Sequence, residues 1–270
     1  MLPGKRFVYL LGQRLVMPVA CRTGWLPPLE LSLDQRASSA KWGYYEESEI
    51  KQASALVRGY TSVSFQRLAT LWQQVRYVDK YRIPGSLVEC GVWRGGASAM
   101  MALAHMRGGS VPWRPIHLFD SFQGLPEPTL EADGEGAVQF AFGKAGGRLV
   151  PTGQCVAAAD DSRDLLLQKI KYPESLVRYH VGWFQDTIER DAPEVGCIAV
   201  LRLDGDWYDS TRICLQHLYP LVAKNGVVVI DDYGSFEGCR RAVDEFLSLQ
   251  PGPVMLHHID SVARYWIKPD

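Results

Sequence analysis

The segments IAVLRLDGD (198–206) and VVVIDD (227–232) decide the fold, because each is an apolar run that ends in aspartate. Runs of this kind are typical of parallel strands that are buried on both faces. Parallel strands end at one edge of an open α/β sheet, which is where such proteins bind their ligands. We therefore expect Asp204, Asp231 and Asp232 to lie close together at that edge.

A unit of strand, turn and helix lies upstream of these runs. SLVEC (86–90) has the character of a short strand, a glycine turn and an Ala- and Met-rich helix follow it, and PIHLFD (115–120) is the next strand. Strands connected in this way form a right-handed βαβ unit. Further strands are expected at residues 176–181, 198–203 and 227–230, with two edge strands near the C terminus. The sequence thus predicts an α/β fold with a mostly parallel central sheet, helices on both faces and an antiparallel C-terminal edge.

Three other segments differ from this pattern. Residues 1–45 contain four prolines and isolated apolar clusters, which indicates an irregular arm that contacts a partner subunit or the substrate. Within the main domain, 46–270, residues 46–80 have helical spacing with a break at 59–62, so two helices are expected, which act as a lid. Residues 124–153 are rich in glycine, proline and acidic residues, and we expect a long variable loop that selects the ligand.

The composition excludes several classes of function. A chain of 270 residues with 47% hydrophobic residues suits one large soluble core, and a net charge of -1 gives no general attraction to nucleic acid or anionic membranes. No apolar run reaches the ~18 residues that a membrane-spanning helix needs. The six cysteines are scattered without a CxxC pair, which favours reduced thiols in a cytoplasmic protein over disulfides or a zinc site.

The glycine turn VECGVWRGG (88–96) is the first candidate ligand site. Gly91 and Gly95 allow a tight turn and the close approach of a ligand, and the following helix offers free N–H groups. The spacing is GxxxGG rather than GxGxxG, and Glu89 stands where it would repel a pyrophosphate but could bind an amine. These features favour S-adenosylmethionine over NAD, although an ordinary turn between a strand and a helix would give the same glycine pattern.

Two further positions are candidates for an adenosine cofactor. Asp120 ends the second strand, where a carboxylate can accept hydrogen bonds from both ribose hydroxyls, and Ser121 is a weaker candidate beside it. A helix cap or a turn would suit the sequence DSF as well. Trp183 follows the third strand and is a candidate to pack against the adenine ring, although an ordinary core position would equally explain it.

The three aspartates predict a site for a hard divalent cation such as Mg²⁺. Carboxylate oxygens are the ligands that this ion prefers, and three carboxylates at one edge would repel each other without it. A structural explanation also exists, because Arg202 and Asp204 share one face of their strand and could pair, while Asp232 could cap the last helix. We expect this site to be separate from the one around Glu89.

Taken in order, six segments resemble the family of macrocin, mycinamicin and novobiocin O-methyltransferases. They are LVECGVWRGGAS (87–98), HLFDSFQGLPEP (117–128), GWFQDTI (182–188), AVLRLDGDWYDST (199–211), LYP (218–220) and VVVIDDYG (227–234). The resemblance extends from about Gly59 to the C terminus. It implies a Rossmann-like class I methyltransferase fold, S-adenosylmethionine as the donor, and Mg²⁺-dependent transfer to a sugar hydroxyl of a glycosylated natural product.

The resemblance also implies roles for particular residues. By this resemblance, Asp204, Asp231 and Asp232 would bind the metal, and Glu89, Gly91 and Asp120 would contact the donor. Asp204 could in addition receive the proton of the hydroxyl, which makes it the candidate catalytic residue. Catechol-type relatives carry a lysine three residues after the first metal aspartate, and this chain has Trp207 there, so that base is not expected.

Several alternatives remain open at this point. The acceptor could be a catechol-like phenol or a polysaccharide sugar instead of a small glycoside. The protein could also be an oxidoreductase that binds NAD or another adenosine nucleotide, or a binding protein without activity. We further expect a homo-oligomer, most simply a dimer, with no nucleic acid or membrane partner.

Overall fold

The computed structural model describes residues 42–269. Every element named below belongs to one compact unit, residues 45–270. The arm expected at residues 1–45 lies almost entirely outside the described residues.

Seven strands form one sheet in the order β3-β2-β1-β4-β5-β7-β6. The strands are β1 (Ser86–Cys90), β2 (Ile116–Asp120), β3 (Val177–Val181), β4 (Ile198–Leu203), β5 (Val222–Ile230), β6 (His257–His258) and β7 (Arg264–Ile267). The first five are parallel, whereas β7 runs antiparallel to both β5 and β6. The mostly parallel sheet with an antiparallel C-terminal edge is therefore confirmed. The strand order reverses between β1 and β4, and ligands of such sheets bind beside that reversal.

Eight α-helices cover the sheet in the described part of the chain. They are α1 (Glu47–Val57), α2 (Phe65–Lys80), α3 (Gly96–Gly108), α4 (Leu130–Phe140), α5 (Ala159–Arg163), α6 (Phe184–Val195), α7 (Tyr208–Leu218) and α8 (Glu237–Ser248). A π-helical turn, Asp164–Lys169, continues α5. Helices α1, α2 and α3 pack together on one face, and α6, α7 and α8 form a second group on the other.

The two helices expected in residues 46–80 are present as α1 and α2. The break between them contains the short 3₁₀ turn Arg58–Tyr60, and Ser64 caps α2 by accepting a hydrogen bond from the N–H of Arg67. The apolar face of α2 is buried as its spacing predicts. No helix among residues 42–269 is long and apolar enough to cross a membrane.

Residues 124–153 differ from the long irregular loop that was expected, because they contain α4. Thr129 caps this helix, and the Asp133 carboxylate accepts hydrogen bonds from the N–H groups of Thr129 (2.8 Å) and Tyr208 (2.7 Å). Gly134, with φ of +79°, bends the helix in the middle. The bend and the acidic residues of the first turn obscure the helical spacing of apolar residues in the sequence. A loop was therefore wrongly predicted for residues 130–140.

Candidate active site

The carboxyl ends of β1, β4 and β5 meet at one point of the sheet edge. Glu89 lies opposite Arg202 in the parallel pair of β1 and β4. Asp204 directly follows β4, and Asp231 directly follows β5. Gly91 is required here, because its φ is +90° and a Cβ at this position would lie 1.8 Å from the carbonyl oxygen of Asp204. The two strand ends therefore contact each other only if residue 91 lacks a side chain.

A cavity of about 490 Å³ opens at this edge, and all but one of the predicted site residues line it. The lining residues among them are Glu89, Gly91, Asp120, Ser121, Trp183, Asp204, Asp231 and Asp232. The exception is Gly95, which begins α3 with φ of +87° and packs against Ser162, where a Cβ would lie 2.6 Å from the serine Cβ. Its neighbour Gly96 lines the cavity instead.

Three carboxylates form a cluster with the chemistry of a hard-cation site. Oxygens of Asp204, Asp231 and Asp232 lie within 4.8 Å of one another. The Oδ2 atom of Asp232 is buried and has no hydrogen-bond partner. Burial raises the pKa of Asp204, and burial together with the neighbouring carboxylates raises that of Asp232 well above its usual range. A divalent cation would supply the missing positive charge, so the residues present fit such an ion.

Two arginines contact this cluster. Arg202, only 2% exposed, pairs with Asp204 (2.9 Å) and Asp231 (2.8 Å), and its Nη1 atom also donates to Glu89 (2.5 Å). Arg67 from α2 pairs with Asp231 and with Asp260, each at 2.6 Å. The structural pairing of Arg202 with Asp204 is thus present, and it coexists with the three-aspartate cluster.

Asp206 is a carboxylate that the sequence analysis did not assign. It lines the same cavity, and its backbone has φ of +58°, which is uncommon for a residue other than glycine. Burial and repulsion from Asp204 and Asp231 raise its pKa well above its usual range. Among residues 42–269, no lysine, arginine or histidine forms an ion pair with Asp206. The sequence contains one hint of this position, because Asp206 is the second acid of the segment LDGD. It lies beyond the end of the strand, where the alternation of side chains no longer shows which way a side chain points.

Glu89 and Asp120, the residues expected to contact the donor, lie at one end of the cavity, called the donor end below. Glu89 is 1% exposed, accepts a hydrogen bond from the Ser98 hydroxyl, and has its pKa raised to about 7 by burial, against the opposing effect of Arg202. Asp120 accepts hydrogen bonds from three backbone N–H groups, those of Val92 (2.6 Å), Trp93 (2.8 Å) and Phe122 (2.6 Å). Asp120 therefore organises the glycine turn, and its oxygens keep lone pairs for a ligand.

The segment after β3 adds a residue that the sequence analysis missed. Trp183, Phe184 and Gln185 all line the cavity. The Oε1 atom of Gln185 is buried without a hydrogen-bond partner in the described structure. A buried amide oxygen without a partner is costly, and Gln185 offers this acceptor to a ligand in the cavity. A single glutamine in a turn has no sequence pattern that would identify this role.

The opposite end of the cavity has an apolar wall. Leu125, Pro126, Phe140 and Phe236 line it. Trp207 lies behind the wall, 2% exposed, where its Nε1 donates to the carbonyl of Pro126 (3.0 Å) and its ring meets that of Phe236 edge-on at 4.9 Å. Among the residues in 42–269 that line the cavity, the basic side chains are those of Arg67 and Arg202.

The segment between α1 and α2 closes one side of the cavity. Residues 60–63 line it, and the backbone of Tyr60 passes so close to Gly96 that a Cβ there would lie 2.7 Å from the tyrosine carbonyl oxygen. The Arg94 guanidinium lies over the Tyr60 ring at 5.4 Å, and Lys169 donates a hydrogen bond to the Tyr60 hydroxyl. This segment therefore borders the cavity, and its role as a lid stays a prediction.

The fold and this cavity define a class, the Rossmann-like class I O-methyltransferases. The structure of the O-methyltransferase NovP is similar to this one, with a TM-score of 0.67 and 32% sequence identity, over 78% of this chain and 83% of that chain. The family model described as macrocin-O-methyltransferase (TylF) matches residues 32–268. The chain therefore belongs to the macrocin O-methyltransferase family, and the match begins well before Gly59, where the resemblance was expected to start.

Curated relatives agree with this family. Demethyldecarbamoylnovobiocin O-methyltransferase of Streptomyces niveus is 35% identical over 224 residues, which are 83% of this chain and 81% of the relative. The 8-demethyl-8-(2,3-dimethoxy-alpha-L-rhamnosyl)-tetracenomycin-C 4'-O-methyltransferase of Streptomyces olivaceus is 35% identical over 207 residues, 77% of this chain and 75% of the relative. Mycinamicin III 3''-O-methyltransferase of Micromonospora griseorubida is 32% identical over 77% of this chain and 78% of the relative.

Proposed function

We propose that the protein transfers a methyl group from S-adenosylmethionine to a sugar hydroxyl of a glycosylated small-molecule natural product, with the help of Mg²⁺ or a similar cation. The observation that carries this proposal is the continuity of one cavity, in which the pocket around Glu89 and Asp120 adjoins the three-aspartate cluster. The relatives named for a rhamnosylated tetracenomycin and for mycinamicin III support a glycoside as the acceptor.

The donor end offers a partner for each polar part of S-adenosylmethionine. Glu89 would bind the ammonium group, and the positive charge would keep this buried carboxylate ionised near neutral pH. Asp120, with Ser121 beside it, would accept hydrogen bonds from the ribose hydroxyls. The unpartnered oxygen of Gln185 would accept one from the adenine amine, and the Trp183 ring would pack against the base.

The three aspartates would hold the cation, and a bound Mg²⁺ would stabilise the negative charge that develops on the acceptor oxygen. Arg202 and Arg67 keep Asp204 and Asp231 in position through their ion pairs. In the transfer, the carbon–sulfur bond of the donor breaks as the new carbon–oxygen bond forms. Asp204 would accept the hydroxyl proton and release it to water, which leaves S-adenosylhomocysteine and a methyl ether.

The remaining surfaces orient the acceptor and exclude water. Phe140 and Phe236 present apolar faces on which a sugar ring can lie, while Asp206 offers a carboxylate to its hydroxyls. Residues 60–63 would close over the donor, and α4 with its flanking loops would select the acceptor. The role of residues 124–153 in selection rests on the position of Leu125, Pro126 and Phe140 in the wall.

The same aromatic wall would also hold a catechol-like phenol, which keeps that acceptor as a second candidate. The two are separated by incubation of the purified protein with radiolabelled S-adenosylmethionine, MgCl₂ and a panel of aryl and macrolide glycosides, catechols and polysaccharides. Label in the glycosides supports the proposal, and label in phenols or polysaccharides alone contradicts the proposed acceptor. Calorimetric binding of NAD without binding of S-adenosylhomocysteine would contradict the proposed donor.

We also propose a cytoplasmic homodimer. All five described cysteines are free, which is consistent with a reducing compartment. Light scattering after gel filtration is expected to give twice the chain mass of 30.2 kDa. A single-chain mass at working concentration would contradict the dimer.

A further inference from the structure

The side chain of Arg202 touches both ends of the cavity. Its Nη1 atom lies 2.5 Å from Oε1 of Glu89 and 2.9 Å from Oδ2 of Asp204, and its Nη2 atom lies 2.8 Å from Oδ1 of Asp231. One guanidinium therefore contacts a carboxylate of the donor end and two carboxylates of the cation cluster. The sequence suggested two separate sites, and the structure adds a side chain that contacts residues proposed for both.

The sheet explains why this arginine reaches all three groups. Arg202 lies in the central strand β4, opposite Glu89 in β1 and opposite Val229 in β5, so its side chain projects between the strand ends that carry the acids. It is 2% exposed and keeps its proton at any accessible pH. Its charge cannot be removed by deprotonation or screened by water, so it must be shared among its three partners.

We propose that Arg202 is a shared counter-ion through which the donor site and the cation site lower each other's affinity. This inference rests on the proposed function, since it takes Glu89 as the partner of the donor ammonium and the aspartates as the cation ligands. Arg202 touches neither the reacting oxygen nor the methyl group in this scheme. It is a positioning residue that acts through Glu89, Asp204 and Asp231.

The direction of the coupling follows from the charges. A divalent cation at Asp204 and Asp231 neutralises these carboxylates and repels the guanidinium, which then has Glu89 as its remaining anionic partner. Glu89 offers less negative potential to an ammonium group as a result. The donor therefore binds more weakly when the cation is present. Because coupling free energies are reciprocal, the cation binds more weakly, by the same factor, when the donor site is filled.

The wild-type protein provides the first test. Isothermal titration with S-adenosylhomocysteine, in EDTA and in saturating MnCl₂, is expected to give a dissociation constant roughly fivefold or more higher with Mn²⁺. Titration of Mn²⁺, followed by its electron paramagnetic resonance, is expected to show the same factor between the empty and the S-adenosylhomocysteine-bound protein. Equal constants, or tighter binding in the presence of the partner, would overturn the inference.

Two variants test whether Arg202 is the residue that couples the two sites. Arg202→Lys keeps the charge but replaces the planar fork with a single ammonium, which cannot reach three carboxylates at once, so the coupling factor is expected to fall toward one. Ser98→Ala is the matched control, because the Ser98 hydroxyl touches Glu89 and neither aspartate. It is expected to change donor affinity and keep the coupling factor. Loss of the coupling in Ser98→Ala, or its full retention in a folded Arg202→Lys protein, would overturn the assignment.

The outcomes also separate this inference from the proposed function. Absence of S-adenosylhomocysteine binding under every condition contradicts the donor, and absence of Mn²⁺ binding contradicts the cation site and the coupling with it. If both ligands bind with independent affinities, the proposed role of Arg202 is contradicted and the proposed donor and cation sites are not. If Arg202→Lys does not fold by circular dichroism, the two reciprocal titrations of the wild-type protein still decide whether the sites are coupled.

Discussion

Two clusters of buried charge lie at opposite ends of β1, and they differ in how their charges are matched. At the amino end, Asp79 pairs with His105 and Arg114, each at 2.7 Å, and Arg114 also donates to backbone carbonyl oxygens, including that of Gly85 (2.6 Å). At the carboxyl end, Arg202 faces three carboxylates, and further acids stand beside them. The first cluster is closed, whereas the second has an excess of negative charge.

This difference indicates which cluster serves stability and which serves binding. In the Asp79 cluster, the His105 Nε2 atom accepts a hydrogen bond from the N–H of Arg114, so its proton lies on Nδ1 and points at the carboxylate. Each hydrogen bond and ion pair described for the Asp79 cluster is made to another group of the protein. In the Arg202 cluster, Oδ2 of Asp232 has no partner. A buried group without its partner is costly in the free protein, and a ligand that supplies the partner binds there.

The largest expected effect is on the stability of the closed cluster. Asp79→Ala leaves the buried His105 and the mostly buried Arg114 without their carboxylate, and the free energy of unfolding should fall by about 3–5 kcal/mol. Urea denaturation followed by circular dichroism measures it. Glu49→Gln, which removes an exposed pair with Arg107, is the control and should leave the free energy of unfolding almost unchanged. A loss of similar size in both variants would contradict the contrast between the clusters.

The open cluster should respond in activity instead. Asp204→Asn removes a proposed cation ligand and proton acceptor, so turnover should fall by roughly 10²–10³-fold, while the free energy of unfolding stays within about 1 kcal/mol of wild type. The assay is methyl transfer to an accepted acceptor at saturating MgCl₂. Asp209→Asn, an exposed residue paired with Arg212, should retain wild-type turnover. Full activity of Asp204→Asn would remove Asp204 from the mechanism.

The effect of the cation on stability can be measured without an acceptor, and it tests whether the open cluster binds the ion. At about 100 times its dissociation constant, Mg²⁺ should stabilise the folded protein by about 2.7 kcal/mol, because it binds the folded aspartate cluster and not the unfolded chain. EDTA should reverse the increase in melting temperature. In Asp232→Asn the increase should be absent or much smaller. An equal increase in wild type and Asp232→Asn would place the bound ion elsewhere.

The smallest expected effect concerns a third buried group, His117. Its ring contacts that of His180 at 3.0 Å, and burial, with His180 and Arg178 nearby, lowers the pKa of His117 from 6.5 to about 4. The folded state favours the neutral ring. The contribution of His117 to the free energy of unfolding is therefore complete above pH 6.5 and is lost as the pH falls toward 4. After allowance for solvent screening, the loss is roughly 2 kcal/mol.

His117→Gln tests this dependence, since an amide can still donate to His180 but does not titrate. The difference in unfolding free energy between wild type and His117→Gln, measured by urea denaturation at several pH values, should change between pH 6.5 and 4. A difference that stays constant over this range would show that His117 does not have a lowered pKa.

The sequence predicted those site residues whose positions follow from a local pattern, such as an apolar run that ends in an acid. Buried strands are continuous apolar runs, and the acids that follow them must emerge at the sheet edge, so Glu89, Asp204 and Asp231 were identified from their position alone. Gly91 was identified as a tight turn, although the space it provides is filled by the carbonyl of Asp204 and not by a ligand.

The parts that were missed depend on contacts between distant segments. Arg67 reaches Asp260 across 193 positions of the chain, and no periodicity within α2 indicates that contact. Gln185 becomes informative only when its amide oxygen is seen to be buried without a partner. The sharing of Arg202 between two sites was also missed, because alternation gave its pairing with Asp204 but not its contact with Glu89 of the neighbouring strand.

The segment that carries the apolar wall begins and ends at neighbouring points of the body. The N–H of Leu125 donates to the carbonyl of Gln154 (3.1 Å), and the N–H of Thr152 donates to the carbonyl of Leu125 (2.9 Å). A segment whose two ends are joined in this way can change in length or composition at low entropic cost to the rest of the chain. Exchange of residues 126–151 between relatives would therefore test the proposed role of this segment in the choice of acceptor.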